Sequence, residues 1–112
     1  MQLEIAVRCV GHRTVLQVAG EIDMATAPDV SQLGASALSD GAAELWIDLS
    51  EVEFIDAAGV HALLDLDELA AADGRRLAVI SPSGRIRRVL DLAGATEHLR
   101  IFESRFDAHR LT

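Results

Sequence analysis

The sequence predicts an α/β protein in which α-helices pack against a single mixed β-sheet. Short segments of alternating or continuous apolar residues, typical of strands, are interleaved with longer segments of helical periodicity. Gly, Pro, Ser and Asp separate these segments, which gives the element order ββαβαβαβα. This order implies parallel later strands joined by right-handed helical crossovers. Half of the 112 residues are apolar, enough for one core, so we expect residues 1–112 to form one domain.

The first two strands are predicted as a hairpin. Residues 2–10 alternate apolar and polar side chains, "GHR" interrupts them, and residues 14–20 continue with β-branched and apolar side chains. Cys9 alternates with the apolar residues of the first strand, so we expect an inert thiol in the core. It is the only cysteine, which excludes an internal disulfide and is typical of a reducing, cytosolic setting.

The remaining elements alternate between helices and strands. Thr26 is the expected N-cap of the first helix, because Pro28 follows within the first turn and apolar residues recur at helical spacing up to Asp40-Gly41. Ser81, in "SPSG", is the expected N-cap of the third helix. The other predicted elements are a strand at 44–49, a loop "DLSEVEF", a helix at 57–72, a strand at 76–81, a strand at 99–102 and a short helix in the tail 103–112.

Composition limits the classes of partner. The chain has a net charge of -8 and contains no Lys, which argues against nucleic acid or an anionic membrane surface as the partner. No apolar stretch approaches the roughly 20 residues of a membrane span, and the N-terminus lacks the pattern of a signal peptide. We therefore expect a soluble, cytoplasmic protein without membrane insertion.

No motif in the sequence indicates catalysis. A nucleophile elbow, a P-loop, a GxGxxG fingerprint and a Cys-His pair are all missing. The four histidines are scattered and the acids do not match a calcium loop, so we expect no catalytic residue, no metal and no cofactor. The bases from Arg85 to Arg88 alternate with apolar residues at helical spacing, which favours a solvated helix face over a phosphate site.

Two turns at the ends of strands form the candidate functional site. Sites in open α/β sheets lie where strands end and helices begin. We expect Asp56 to cap the second helix, and Gly59 to allow a close backbone approach at a cost to the helix of about 1 kcal/mol. A partner-binding surface is predicted at 23–26 and 56–60, flanked by the exposed face of the second helix. Its residues are Asp23, Met24, Thr26, Asp56, Ala57, Ala58, Gly59, Val60 and His61.

Acidic side chains dominate the region around this surface. Between residues 44 and 73 the chain contains nine acids and no Arg, a pattern typical of a solvated face that would also steer a basic partner electrostatically. The nine are Glu44, Asp48, Glu51, Glu53, Asp56, Asp65, Asp67, Glu68 and Asp73.

Three stretches of the sequence, taken together, resemble the STAS domains of the anti-sigma factor antagonist family. They are "GEIDMATAP", "LWIDLSEVEFIDAAGVHALL" and "SPSGRIRRVLDLAGATEHLRIFES", and the likeness covers nearly the whole chain. The resemblance implies the STAS fold and a small cytoplasmic binding module. Such a module docks on an anti-sigma factor with an ATP-binding domain, often a serine kinase, and so releases a sigma factor for transcription.

The resemblance also implies that a regulatory switch is missing. In the family, a phosphorylated serine directly follows the Asp of a "DSSG" or "DSTG" motif, and that position is Ala57 here. An alanine methyl has no nucleophilic oxygen, so Ala57 is a degenerate phosphosite that cannot accept a phosphate. The unphosphorylated form is the one that binds the anti-sigma factor in the family, which implies a constitutive antagonist or one governed by its expression level or by another partner. Ser50 and Thr26 are the alternative phosphoacceptors nearest in sequence.

Two other functions stay open at the level of sequence. One is an accessory or scaffold subunit of a stress-signalling or transport complex, as some STAS proteins are. The other is a module that binds a nucleotide or another anion at the start of the second helix, although the neighbouring acids oppose an anion there. The identity of the partner and the oligomeric state are not predicted.

Overall fold

The α/β architecture is confirmed in the computed structural model, which describes residues 3–104. Within these residues, five strands form one mixed sheet, and the connections between its parallel strands contain helices. In chain order the elements are β1 (Leu3–Val10), β2 (Arg13–Ile22), α1 (Ala27–Ser39), β3 (Glu44–Ile55), α2 (Ala57–Ala72), β4 (Arg76–Ile80), α3 (Gly84–Leu92), a 3-10 helix (Ala95–Glu97) and β5 (Arg100–Phe102).

The order of the strands across the sheet is their order along the chain, from β1 to β5. β1 pairs with β2 in antiparallel orientation, and all later neighbours pair in parallel. The hairpin closes through Gly11 and His12, and Gly11 has a φ of 63°, which a type II′ turn requires at its first central residue. The predicted hairpin and the predicted parallel strands are both confirmed.

The three α-helices pack on the same face of the sheet. Leu45, Ile47 and Leu49, which alternate along β3, belong to the main buried cluster together with apolar residues of α1, α2 and α3. Trp46 lies between them and belongs to a smaller cluster with Ile80 on the opposite face. Because the carboxyl ends of the parallel strands lie on the same side of the sheet, the β2–α1 and β3–α2 turns lie next to each other there.

β3 is longer than the predicted strand at 44–49. It continues through the stretch "DLSEVEF", which was predicted as a loop, and remains paired with β2 as far as Ile22 and Ile55. Two register shifts interrupt this part of the pairing. The stretch is polar because Ser50 and the following glutamates are exposed, while Val52 is buried. Ser50 therefore lies on a strand and not in a loop.

Cys9 is exposed, so the prediction of a buried thiol is wrong. Alternation along a strand predicts burial only where another element covers that strand. β1 lies at the edge of the sheet, and all of its residues from Ala6 to Val10 are exposed. The Sγ atom of Cys9 lies 3.9 Å from the Oγ1 atom of Thr14 on β2.

The predicted bounds of the first two helices agree with the structure, and those of the third do not. α1 ends directly before Asp40, and α2 spans the predicted residues. Ser81 does not cap α3, because its backbone has a φ of 53° and its N–H donates to the carbonyl of Phe102. Ser83 is the N-cap, and its Oγ accepts a hydrogen bond of 3.3 Å from the N–H of Ile86.

The end of the chain differs from the prediction in one element, and most of the predicted tail helix lies outside the described residues. The 3-10 helix before β5 was not predicted from the sequence. The tail helix predicted over 103–112 falls outside the described residues, except for Glu103 and Ser104, which form a bend. None of the helices in the described part of the chain has both the length and the apolar character that crossing a bilayer demands.

Candidate functional site

Both turns of the predicted site are joined by direct backbone contacts. The parallel pairing of β2 with β3 runs to Ile22 and Ile55, the last residues of the two strands. The N–H of Asp56 then donates a hydrogen bond of 3.1 Å to the carbonyl of Ile22. The end of β2 and the start of α2 are therefore held in one fixed arrangement.

The start of α2 is built by Asp56 and Gly59. Asp56 has an extended backbone, and its carboxylate accepts a hydrogen bond of 3.1 Å from the N–H of Gly59, as predicted for an N-cap. A Cβ atom on Gly59 would lie 2.6 Å from Cγ1 of Ile55 and 2.8 Å from the carbonyl oxygen of Ile22. The predicted close backbone approach at Gly59 is confirmed.

The loop before α1 is organised by Asp23. Its carboxylate accepts hydrogen bonds from the N–H groups of Thr26, at 3.0 Å, and Ala25, at 2.9 Å. The hydrogen bond from the Thr26 N–H is the main reason that the pKa of Asp23 lies below its ordinary value; desolvation of the carboxylate opposes this effect, and the Ala25 N–H adds to it. The negative charge of Asp23 therefore stabilises the loop.

Thr26 is the N-cap residue directly before α1, as predicted, but its side chain makes no capping hydrogen bond. Its hydroxyl donates to the carbonyl of Glu21 at 2.8 Å and accepts from the N–H of Asp23 at 2.9 Å. The prediction of a Thr26 side-chain cap is therefore wrong. The hydroxyl of Thr26 instead ties the loop back to β2 through Glu21. The backbone of Thr26 is already near the helical region, with φ of -103° and ψ of -21°.

The nine predicted binding residues divide into an exposed group and a buried group. Met24 is 78% exposed, and Ala57 and His61 are also exposed. Gly59 and Val60 are buried, and Val60 is only 2% exposed. Gly59 has no side chain and that of Val60 is buried, so neither residue presents a side chain at the surface; both lie where α2 packs on the sheet. The others, Asp23, Thr26, Asp56 and Ala58, are partly exposed.

A shallow groove between α1 and α2 extends the exposed part of the site. It has a volume of about 480 Å³ and begins at Met24. Pro28 contributes to its α1 side, and Ala58, His61 and Asp65 contribute to its α2 side. The individual α1 residues were not predicted. The spacing of Ala58, His61 and Asp65 on one helix face is the signal that could have indicated the α2 side.

The nine acids do not form one patch. Asp65 lies in the groove, whereas Asp48 is buried on β3, and its carboxylate accepts from the N–H of Ser50. Glu44 lies at the opposite end of β3, where it forms a 3.4 Å ion pair with Arg13. Among residues 3–104, no three His, Cys, Asp or Glu side chains are grouped so that they could hold a metal ion.

A comparison with protein families gives a match over most of the chain. The family model described as "Mlab, STAS domain" matches residues 5–101. The anti-sigma-F factor antagonist RsfB of Mycobacterium tuberculosis is 31% identical to this chain over 94 residues, which are 84% of this chain and 76% of RsfB.

Solved structures with the same architecture come from several bacteria. A crystal structure of an anti-sigma factor antagonist from Mycobacterium paratuberculosis superposes with a TM-score of 0.89 at 28% identity, covering 98% of this chain and 93% of that one. The anti-sigma factor antagonist SpoIIAA in its unphosphorylated form superposes with a TM-score of 0.80 at 19% identity, covering 96% of each chain. The phosphorylated form of SpoIIAA, from Bacillus, gives 0.73 at 19% identity, covering 97% and 100%.

Proposed function

The chain belongs to the STAS domain family, and from this membership we propose that it is an anti-sigma factor antagonist that binds its partner through Met24 and the groove between α1 and α2. The observation that carries the proposal is the exposure of Met24. A large apolar side chain that is 78% exposed, at the end of a groove and on a hydrogen-bonded loop, is suited to insertion into another protein.

The proposed partner is an anti-sigma factor with an ATP-binding, kinase-like domain, acting in the cytosol. The groove side of the protein carries Asp23, Asp56 and Asp65. From Glu21 to Asp73 the sequence contains no Arg or Lys, so the nearby acids are not neutralised by bases of the same segment. A basic surface on the partner would complement this charge and increase the rate of association.

The proposed antagonist is not switched by phosphorylation at the start of α2. Ala57 is the first residue of α2 and is exposed, so a side chain at this position can be reached by an enzyme. A serine here would have a hydroxyl close to the N-terminus of the helix, where a phosphate is favoured by the free N–H groups. Alanine has no such oxygen, so the surface stays in its unmodified, binding-competent state.

The role of Met24 is tested by two matched substitutions in a binding titration with the anti-sigma factor. Met24→Asp should weaken binding by at least tenfold, because it places a charge where the apolar side chain would insert into the partner. Leu92→Asp is the control, since Leu92 is also 78% exposed but lies on α3, away from the groove. Equal affinities of the two variants would reject the proposed surface, provided that both unfold at the temperature of the wild type.

The absence of the switch is tested by adding the hydroxyl. The Ala57→Ser variant and the wild type are incubated with the anti-sigma factor and ATP, and phosphate incorporation is followed by mass spectrometry. We expect one phosphate on Ser at position 57 of the variant, loss of its binding, and no modification of the wild type. Phosphorylation of the wild type at Thr26 or Ser50 would contradict the proposal of a constitutive antagonist.

A further inference from the structure

β1 presents a strand edge that no other described strand covers. It is the outermost strand of the sheet on one side, and its pairing with β2 runs without interruption from Leu3 to Val10. The strand contains no proline and no bulge, two of the devices that ordinarily block the pairing of a strand edge with another chain. Val7 and Val10 are 49% and 52% exposed.

The hairpin geometry determines which backbone groups face outward. In a two-residue turn, the carbonyl of the residue before the turn accepts from the N–H of the residue after it, here Val10 and Arg13. The backbone groups of Val10 and of every second residue before it therefore face β2. Those of the alternate residues face the open edge, namely Leu3, Ile5, Val7 and Cys9.

The charges on β1 are symmetric about Ala6. Glu4 lies two residues before Ala6 and Arg8 lies two residues after it, and all three side chains are exposed. A charged residue ordinarily protects a strand edge against pairing with a copy of itself. Here the two charges are opposite in sign, so antiparallel pairing about Ala6 makes them attract.

We propose that two copies of this chain pair through β1, antiparallel and with the two-fold axis at Ala6, to form a continuous ten-stranded sheet. In this register Glu4 of each copy lies opposite Arg8 of the other, and Ile5 lies opposite Val7. The register also brings together the outward-facing backbone groups of Ile5 and Val7, so the ladder hydrogen bonds can form. The pair is a closed two-fold dimer, because the β1 edges of both copies are used in the interface.

An apolar groove beside β1 supplies contact area beyond the backbone. It lies between β1 and α1, has a volume of about 440 Å³ and is lined by Leu3, Ile5 and Leu33, of which Leu33 is 38% exposed. Leu3 and Ile5 pack against the main core, so the odd-numbered residues of β1 point to the helix-covered face. In the dimer, Val7 and Cys9 of the second copy therefore cover this groove.

The proposed dimer does not depend on the proposed function. The groove for the anti-sigma factor lies between α1 and α2, whereas the dimer uses the groove between β1 and α1. The dimer would therefore present two copies of the docking surface.

Cysteine cross-linking tests the position of the two-fold axis. The two Ala6 residues at the axis would form a non-hydrogen-bonded pair. Their Cα atoms would lie about 4.5 Å apart, within reach of a disulfide. In a Cys9→Ser background, Ala6→Cys should give a covalent dimer under mild oxidation. Val10→Cys is the control on the same strand, because its two copies would be separated by about 27 Å. Equal cross-linking of both variants would overturn the proposal.

A charge exchange tests the register, with the mass measured by sedimentation. The wild type should reach twice its monomer mass of 12.0 kDa as concentration rises. Glu4→Arg and Arg8→Glu should each weaken dimerisation by roughly tenfold, because two cross-strand attractions become repulsions. The variant with both substitutions should regain the wild-type affinity. A monomer at all concentrations, or no recovery in the double variant, would also overturn the proposal.

Discussion

The two helix starts at the candidate site both use an aspartate after a strand, but they use it differently. At α2, the carboxylate of Asp56 accepts a hydrogen bond from the N–H of Gly59, and the helix begins at Ala57, directly after Asp56. At α1, the carboxylate of Asp23 bonds to the N–H groups of Ala25 and Thr26, and the helix begins only at Ala27. The first arrangement is a helix cap and the second is a loop.

The difference explains why a large apolar side chain is exposed at only one of the two turns. At α2, Gly59 lies against the carbonyl of Ile22 and Val60 is buried, so the residues left exposed near the cap are the small Ala57 and His61. The loop at Asp23 is closed by its own hydrogen bonds and leaves Met24 in solvent. The α2 turn is therefore held closely against β2, whereas the turn before α1 exposes a large apolar side chain.

The largest expected effect comes from filling the close contact at α2. Gly59→Ala should destabilise the protein by about 2 kcal/mol, because the new Cβ meets the backbone carbonyl of Ile22 at 2.8 Å, and this atom cannot move away freely. Gly34→Ala is the matched control on α1, because its Cβ would meet mainly the flexible end of Leu66, at 2.6 Å from Cδ1. Helix propensity favours Ala by about 1 kcal/mol in both variants.

Denaturant unfolding measures both glycine variants. We expect Gly34→Ala to lie within about 1 kcal/mol of the wild type, since rearrangement of Leu66 and the gain in propensity offset each other. If Gly59→Ala were as stable as Gly34→Ala, the backbone contact between α2 and β2 would not hold the two turns together.

A smaller effect is expected from the cap itself. Asp56→Ala should lower the free energy of unfolding by about 1 kcal/mol, because the N–H of Gly59 loses its acceptor. Asp56→Asn keeps an oxygen acceptor and should retain most of the stability. Equal losses in the two variants would show that the negative charge, and not the hydrogen bond, is what stabilises the helix start.

The smallest effect is the pH dependence of the loop before α1. Because the pKa of Asp23 is lower in the folded protein, the unfolded chain binds the proton more readily, and the loop is stabilised at pH values above about 4. This stabilisation is lost as the pH falls through the lowered pKa. The difference in melting temperature between the wild type and Asp23→Asn should therefore shrink from pH 6 to pH 2.5. A constant difference over that range would be inconsistent with a stabilising charge.

The start of α2 was predictable because its residues have one main use at a helix start. The errors elsewhere concern residues with several possible uses. The Asp56 cap and the close approach at Gly59 follow from residue types that have one main use at a helix start. The roles of Thr26 and Ser81 did not follow, because a hydroxyl can bond to any nearby carbonyl or N–H, and the fold selects which. Val60 carries the same apolar side chain whether it contacts a partner or the core.

The sequence by itself determined the order of the five strands and three α-helices, the family and the lack of a hydroxyl at residue 57, because these depend on residue identity and local periodicity. Only the tertiary structure decided that β3 continues to Ile55, that Cys9 is exposed and that a groove opens between α1 and α2. These features depend on which element lies across from another, and periodicity along one segment contains no information about its neighbours.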